Sequence, residues 1–287
     1  MILWIRKLWS YFKDSDNRGR IVLLFTTLFA IGGWISIPDT PVECDPFKEG
    51  FFSDNQDIGE SILPRIEEAY SEVRGKGFEE TKRIHREKWS KIGKCTSALI
   101  ENQIYIPEHR ANIAAFSASY FRSLNLDQER IGRYSITAYE ADPSNPYAIL
   151  AYGNHQSQQY ALKEDIQKLP FKAALGISGV ATSILFDYAK RSIEARPTPE
   201  GYEVYAESAS RLHDISYIRC DFNGLHSSQN WVREIYKEAI EAGIPAVSPV
   251  SWEARLELQP SKMRSIDELK KERLADQDMQ PCDVWTQ

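Results

Sequence analysis

From Ile21 to Ile37 the chain runs for seventeen residues without a charge. The stretch reads "RIVLLFTTLFAIGGWISIP" with its flanks, residues 20–38. At about 1.5 Å per residue a helix over the uncharged part spans about 26 Å, the short end of what a bilayer core needs. Pro38 and Asp39 end the run, and Trp34 lies near one edge, where an indole suits a membrane interface. A buried core helix seldom lacks every charge over such a length, so residues 20–38 are expected to form a transmembrane helix. A cleaved signal peptide is the competing reading. The long basic region before the run, and the lack of a small-x-small site after it, argue against that.

Sidedness follows from the basic residues. Residues 1–19 mix Trp4, Ile5, Leu8, Trp9 and Phe12 with Arg6, Lys7 and Lys13. They read as an amphipathic segment lying on an anionic surface, or as the frayed start of the span. Arg6, Lys7, Lys13, Arg18 and Arg20 precede the run, and Lys48 is the basic residue of the linker after it. The positive-inside rule then expects a single-pass cell-membrane protein with a cytosolic N-terminus and the main domain outside. A cytosolic main domain is the alternative. The lipid bilayer is thus an expected partner.

Residues 39–60 are rich in Pro and Asp and read as a linker. Residues 61–258 are expected to form the folded domain, and 259–287 a polar tail. At 287 residues, 42% hydrophobic, the chain can bury a sizeable core. A net charge of −6, with no basic stripe, gives nucleic acid no footprint. Cys44, Cys95, Cys220 and Cys282 form no CxxC spacing, so zinc is not expected. They read as isolated, buried thiols, with disulfides open to a domain outside the cytosol.

The pattern from Ser61 to Gln103 is helical. Ile62, Ile66, Tyr70 and Val73 recur every three or four residues, and "RGKG" at 74–77 breaks the run into two helices. Its apolar stripe either packs on its own domain or makes a homodimer through 61–103. Another helix is expected over 108–124. Then the period changes to two: in "RIGRYSITAYEADPSNPYAILAYGN", Ile131, Arg133, Ser135 and Thr137 share one face. "DPSNP" is turn chemistry, so the segment reads as a β-hairpin. "LPFKAALGISGVATSIL" follows, with Gly176 and Gly179 as a strand-to-helix connection and Ser178 as its cap. A strand is expected over 215–222, a helix from Ser227 or Ser228 to Gly243, and a strand broken by Pro249.

This order resembles a GAF domain over about residues 85–222, on the strength of "RYSITAYEADPSNPYAILAYGN", "LPFKAALGISGVATSIL" and "DISYIRCDF". The resemblance implies an α+β fold, with a mixed sheet, flanking helices and an enclosed small-molecule pocket. By that likeness the lining includes Tyr139, Tyr152, Phe171, Ile177, Val180 and Tyr217. Gly176 and Gly179 join them because glycines let the backbone approach a ligand. The sequence departs from the family after Cys220, where a helix replaces the closing strand pair.

Chemistry-bearing motifs are sparse. His85, His109, His155, His213 and His226 show no metal spacing, and there is neither a GxSxG elbow nor a phosphate-binding GxxxxGK[ST] loop. Cys220 reads as a buried thiol rather than a nucleophile. No catalytic residue, metal or cofactor is assigned. The expected function is that of a membrane-anchored sensory or regulatory protein binding a small ligand or a partner protein. The alternative is a membrane-tethered N-acyltransferase, because "GISGVATSILFDYAKRSI" resembles the acyl-CoA turn of that superfamily, where a glycine-rich helix start receives a pyrophosphate.

Overall fold

The computed structural model describes residues 41–47, 55–102, 109–162, 168–260, 263–276, 279 and 281–285. Two compact units divide the chain, Met1–Pro41 and Val42–Gln287, and the second is described here. Its described elements are all helical. A 3-10 turn, Val42–Phe47, precedes α1 (Asn55–Val73) and α2 (Phe78–Ile84). A π turn, His85–Trp89, leads into α3 (Ser90–Glu101). Then come α4 (Arg110–Ser123), α5 (Gln128–Ala141), α6 (Pro146–Leu162) and α7 (Phe171–Ala195). α8 (Pro199–Arg219), α9 (Phe222–Glu241), α10 (Trp252–Glu257), α11 (Ile266–Ala275) and a 3-10 turn, Cys282–Trp285, complete it.

From α3 to α9 each helix packs on the next, and α4 also touches α6, as α6 does α8. The result is an array of helix pairs. Side-chain caps fix where the helices begin: Asp127, Asn145, Thr198 and Asp221 each accept backbone N–H bonds from the first turn of the helix that follows. Pro146 and Pro199 follow two of these caps, where a missing N–H costs nothing. At Gly153 of α6 a Cβ would lie 2.3 Å from Tyr188 Cβ of α7, so the close approach of these two helices requires glycine.

Two apolar cores result. The first joins the N-terminal 3-10 turn and α1 through α6 around Ile62, Leu99, Phe116 and Tyr134. The second joins α6 through α10 around Leu150, Tyr205, Ile235 and Trp252. α6 serves both. The turn after α1 ties the two halves together: Arg74 Nη2 donates to Glu200 Oε1 at 2.9 Å, and Gly75 N donates to Val247 O at 2.7 Å. Two disulfides close the unit. Cys44–Cys95 fastens the N-terminal 3-10 turn to α3, and Cys220–Cys282 fastens the C-terminal turn to the α8–α9 connection. The cysteines are therefore paired, not isolated thiols.

The α+β, GAF-like expectation is overturned, since no strand occurs among the described residues. The supposed hairpin is α5 and α6. Ile131, Tyr134, Ser135 and Ala138 are buried together, a spacing of 3, 1 and 3 that belongs to a helix rather than a strand. "DPSNP" ends one helix and caps the next: Asn145 Oδ1 accepts from Tyr147 N at 3.0 Å and Ala148 N at 3.2 Å. The 215–222 strand is the end of α8 and the start of α9. Gly176, Ser178 and Gly179 lie inside α7, which begins at Phe171, so there is no strand-to-helix connection there. The segment around Pro249 is irregular and leads into α10.

The helix pair over 61–103 is present, broken at 74–77 as its sequence indicates, and its stripe of Ile62, Ile66, Tyr70 and Val73 is buried in its own unit. The last stretch is held down: Leu269 and Arg273 of α11 are buried, and Cys282 is bonded to Cys220. No helix among the described residues is long and apolar enough to cross a membrane. The single-pass membrane placement and its sidedness are therefore set aside. The 1–19 segment and the 20–38 run lie outside the described residues.

Disulfides of this kind form where thiols are oxidised. Peptide mapping without reductant should recover the 44–95 and 220–282 bridges. Replacing Cys44 and Cys95 together with Ala should lower unfolding stability by about 2–4 kcal/mol. Urea midpoints would measure the loss, and an unchanged midpoint would mean that the bridge contributes nothing.

Candidate functional site

The sequence-predicted ligand residues do not share one pocket. Tyr139 of α5 and Tyr152 of α6 do meet, stacked at 4.4 Å between ring centroids. Tyr188 of α7 packs edge-on against Tyr152, and Arg191 Nη2 donates to the Tyr139 hydroxyl at 2.8 Å. This is a half-buried ladder that locks α5, α6 and α7. Phe171 starts α7, 57% exposed, with Trp285 against it. Gly176 faces open space, Gly179 is buried with Ile215 Cγ2 3.6 Å from where its Cβ would stand, Ile177 is half-buried, and Val180 is exposed. Tyr217 serves the C-terminal segment instead. Its hydroxyl donates to Asp276 Oδ2 at 2.9 Å, and its carbonyl accepts from Arg273 Nε at 2.8 Å.

The one Ser–His approach is structural. Ser228 Oγ lies 3.4 Å from His213 Nδ1, and Asp214 follows His213 in sequence. Ser228 has no solvent exposure, and its hydroxyl already donates to Leu225 O at 3.0 Å. A nucleophile sealed between α8 and α9 meets no substrate. Burial also holds His213 below the usual histidine range.

A cleft of about 670 Å³ opens where α3, α4 and the start of α5 converge. Its residues follow from helix spacing. Lys94, Ser97, Ala98 and Glu101 stand three or four apart on one face of α3. Tyr120 and Phe121 of α4 supply the buried floor, and Leu126, Asp127 and Arg130 the opposite wall. Glu43 overhangs the rim, carried there by its neighbour Cys44, which is bonded to Cys95 of α3.

One hydrogen bond and two partly exposed ion pairs line the walls. The Tyr134 hydroxyl donates to Glu101 Oε1 at 2.6 Å. Arg130 Nε lies 3.4 Å from both Glu101 Oε1 and Asp127 Oδ2, and its guanidinium sits over Phe121 at 5.8 Å. Asp127 Oδ1 meanwhile caps α5. Burial, and then the Glu101 carboxylate, push the Tyr134 hydroxyl well above the usual tyrosine range. At the rim, Glu43 and Lys94 are exposed and have no ion partner among the described residues. The site thus offers an aromatic floor, one exposed leucine and two uncommitted charges of opposite sign.

Sequence reasoning passed over this site because its residues come from separate segments. One signal was available: Lys94, Ser97 and Glu101 form a polar row on a helix whose other face is apolar. Comparison of the chain with protein-family models, with curated proteins and with solved structures gave no match.

The buried tyrosines make a test. Tyr134 joins Tyr70 and Tyr205 in having a hydroxyl raised mainly by burial, Tyr205 to about 12. An unfolded tyrosine titrates near 10. A raised folded-state value gives stability that is complete below pH about 10 and is lost as pH climbs through the folded-state value. Alkaline unfolding above pH about 10 is expected, with part of the tyrosinate absorbance appearing only as the helices melt. Tyr134→Phe should cost about 1–2 kcal/mol at neutral pH and should flatten the alkaline loss. A smooth titration of all tyrosines in the folded protein would contradict this.

Proposed function

We propose that the chain is a binding module in which the cleft between α3, α4 and α5 receives a peptide segment of a partner protein. The observation that carries this reading is the presence, in one cleft, of charges that pair with one another beside charges that do not. Glu101, Arg130 and Asp127 of the lining pair with one another, and Tyr134 donates to Glu101 from behind it, whereas Lys94 and Glu43 have no ion partner among the described residues and Leu126 is 41% exposed. A volume of about 670 Å³ lies within the range of sites that enclose ligand side chains. A peptide can meet all three kinds of group at once: an apolar side chain over Tyr120 and Phe121, and charges of either sign at the rim. Arrays of helix pairs commonly use such surfaces for protein recognition. Preorganisation favours affinity, because the walls need no ordering when the segment arrives.

The acyltransferase alternative needs a glycine-rich helix start for a pyrophosphate. Gly176 and Gly179 stand in the interior of α7, so the glycines that suggested this alternative do not form such a helix start.

A random peptide library panned on the oxidised protein tests the proposal. Enriched peptides should combine an aromatic or aliphatic anchor with charged neighbours. Lys94→Glu with Leu126→Asp, both surface changes, should weaken them at least tenfold by titration calorimetry while leaving helicity intact. Enriched peptides that bind this double variant as well as the parent would place recognition elsewhere and overturn the assignment.

A further inference from the structure

α4 carries a guanidinium without a counter-ion. Arg122 Nε and Nη2 are both buried, and neither meets an acceptor. Arg264 also has a buried Nε without an acceptor, but its Nη1 pairs with Glu272, and two further guanidiniums are partnered. Arg255 pairs with Glu203 at 2.7 Å, and Arg273 donates to the carbonyl of Tyr217 at 2.8 Å. Arg122 is half-buried as a residue, yet two of its three guanidinium nitrogens are shielded from solvent and unpaired, and a shielded donor without an acceptor costs free energy.

The surroundings of Arg122 are rich in donors. Ser119 lies one turn earlier on α4, and the Tyr70 hydroxyl of α1 donates to its Oγ at 3.5 Å. His155 of α6 is close enough for the Arg122 charge to act on it, adding to burial in holding that imidazole below its usual range. The ring of His155 is seated against Gly132 of α5, where a Cβ would come within 2.6 Å of its Cε1, so only glycine there leaves room for the imidazole. No carboxylate offsets the guanidinium: burial pulls Arg122 down to about 10, and the one group acting the other way is Tyr70. Elements α1, α4 and α6 thus bring hydroxyl, imidazole and guanidinium groups together; the carboxylate felt there is Glu200, which acts on Tyr70 and is paired with Arg74 rather than with Arg122.

Nε and Nη2 form the edge of a guanidinium that grips a planar or tetrahedral oxyanion with two parallel hydrogen bonds. We propose that Arg122, flanked by His155, Tyr70 and Ser119, is a binding site for a small oxyanion, a phosphate or carboxylate group held bidentately by Nε and Nη2. The charge of the anion supplies what the fold withholds. The proposal is independent of the peptide cleft, which uses Tyr120 and Phe121 of the same helix but not Arg122.

The test uses the full oxidised chain. Thermal melts are recorded in rising inorganic phosphate, rising acetate, and chloride as the control, all at constant ionic strength and pH. The melting temperature of the parent should climb and saturate with phosphate, with acetate, or with both, but not with chloride. Response to phosphate alone assigns a phosphoryl group, and response to acetate alone a carboxylate. Arg122→Met should abolish the response, and Arg122→Lys, which keeps the charge but loses the fork, should weaken the apparent affinity at least fivefold. A parent chain that responds to neither anion beyond chloride overturns the proposal and leaves buried water as the partner of Arg122. An equal response in parent and Arg122→Met overturns it as well. If Arg122→Met does not fold, the Arg122 Nε–H resonance of the parent, assigned by its absence in Arg122→Lys, decides: it must shift with phosphate or acetate, and a resonance indifferent to both refutes the site.

Discussion

An array of helices has two ends, and each end exposes apolar surface that no further helix covers. In this chain α1 covers one end and α10 and α11 the other, and a disulfide fastens a terminal turn near each. Cys44, fully buried, bonds to Cys95 and draws the 3-10 turn over α1 and α3. Cys220, in a left-handed conformation at the end of α8, bonds to Cys282 and brings Trp285 against Phe171 at the start of α7. Between these ends the helices support one another pairwise, with α6 as the member common to both cores. Arg74–Glu200 and Gly75–Val247 add a cross-tie from the first helix to the second core. The cleft between α3, α4 and α5 depends on the first closure, because the 44–95 bridge carries Glu43 into its lining.

The sequence displayed its helices more plainly than its fold class. The α1–α2 break at Arg74–Gly77, the helix of α4 and the Gly243 stop after α9 were legible from apolar spacing and from glycine, which at 75 and 243 takes positive φ. The segment from Ile131 to Asn154 was misread. Tyr134, Ile136, Thr137 and Tyr139 are strand-favouring types, and over so short a run a period of two and a period of 3.6 both fit. Burial decides between them, since Tyr134 and Ala138 are fully covered while Ile136 is 38% exposed. The start of α9 also lies earlier than Ser227 or Ser228: Asp221 caps it.

Neither the disulfide pairing nor the two sites could be read in the same way. Four cysteines allow three pairings, and no spacing rule selects among partners 51 and 62 residues apart. The cleft draws on four separate segments, and the Arg122 cradle on α1, α4 and α6 with α5 behind them. Both arise only when helices distant in sequence are packed side by side. Arg122 itself is unremarkable in sequence, because what singles it out is that no acceptor meets its Nε and Nη2 among the described residues, which only the packing of neighbouring helices decides.

Hydrogen exchange read by mass spectrometry, before and after gentle reduction, addresses the closure of the array most directly. In the oxidised protein the amides of α3, the α8–α9 connection and α11 should be protected. Reduction should speed exchange first at residues 42–47 with α3, and at 220–222 with α11, while α5, α6 and α7 stay protected. Exchange unchanged at both ends after reduction, or free thiols in the unreduced protein, would contradict an array held shut by two disulfides.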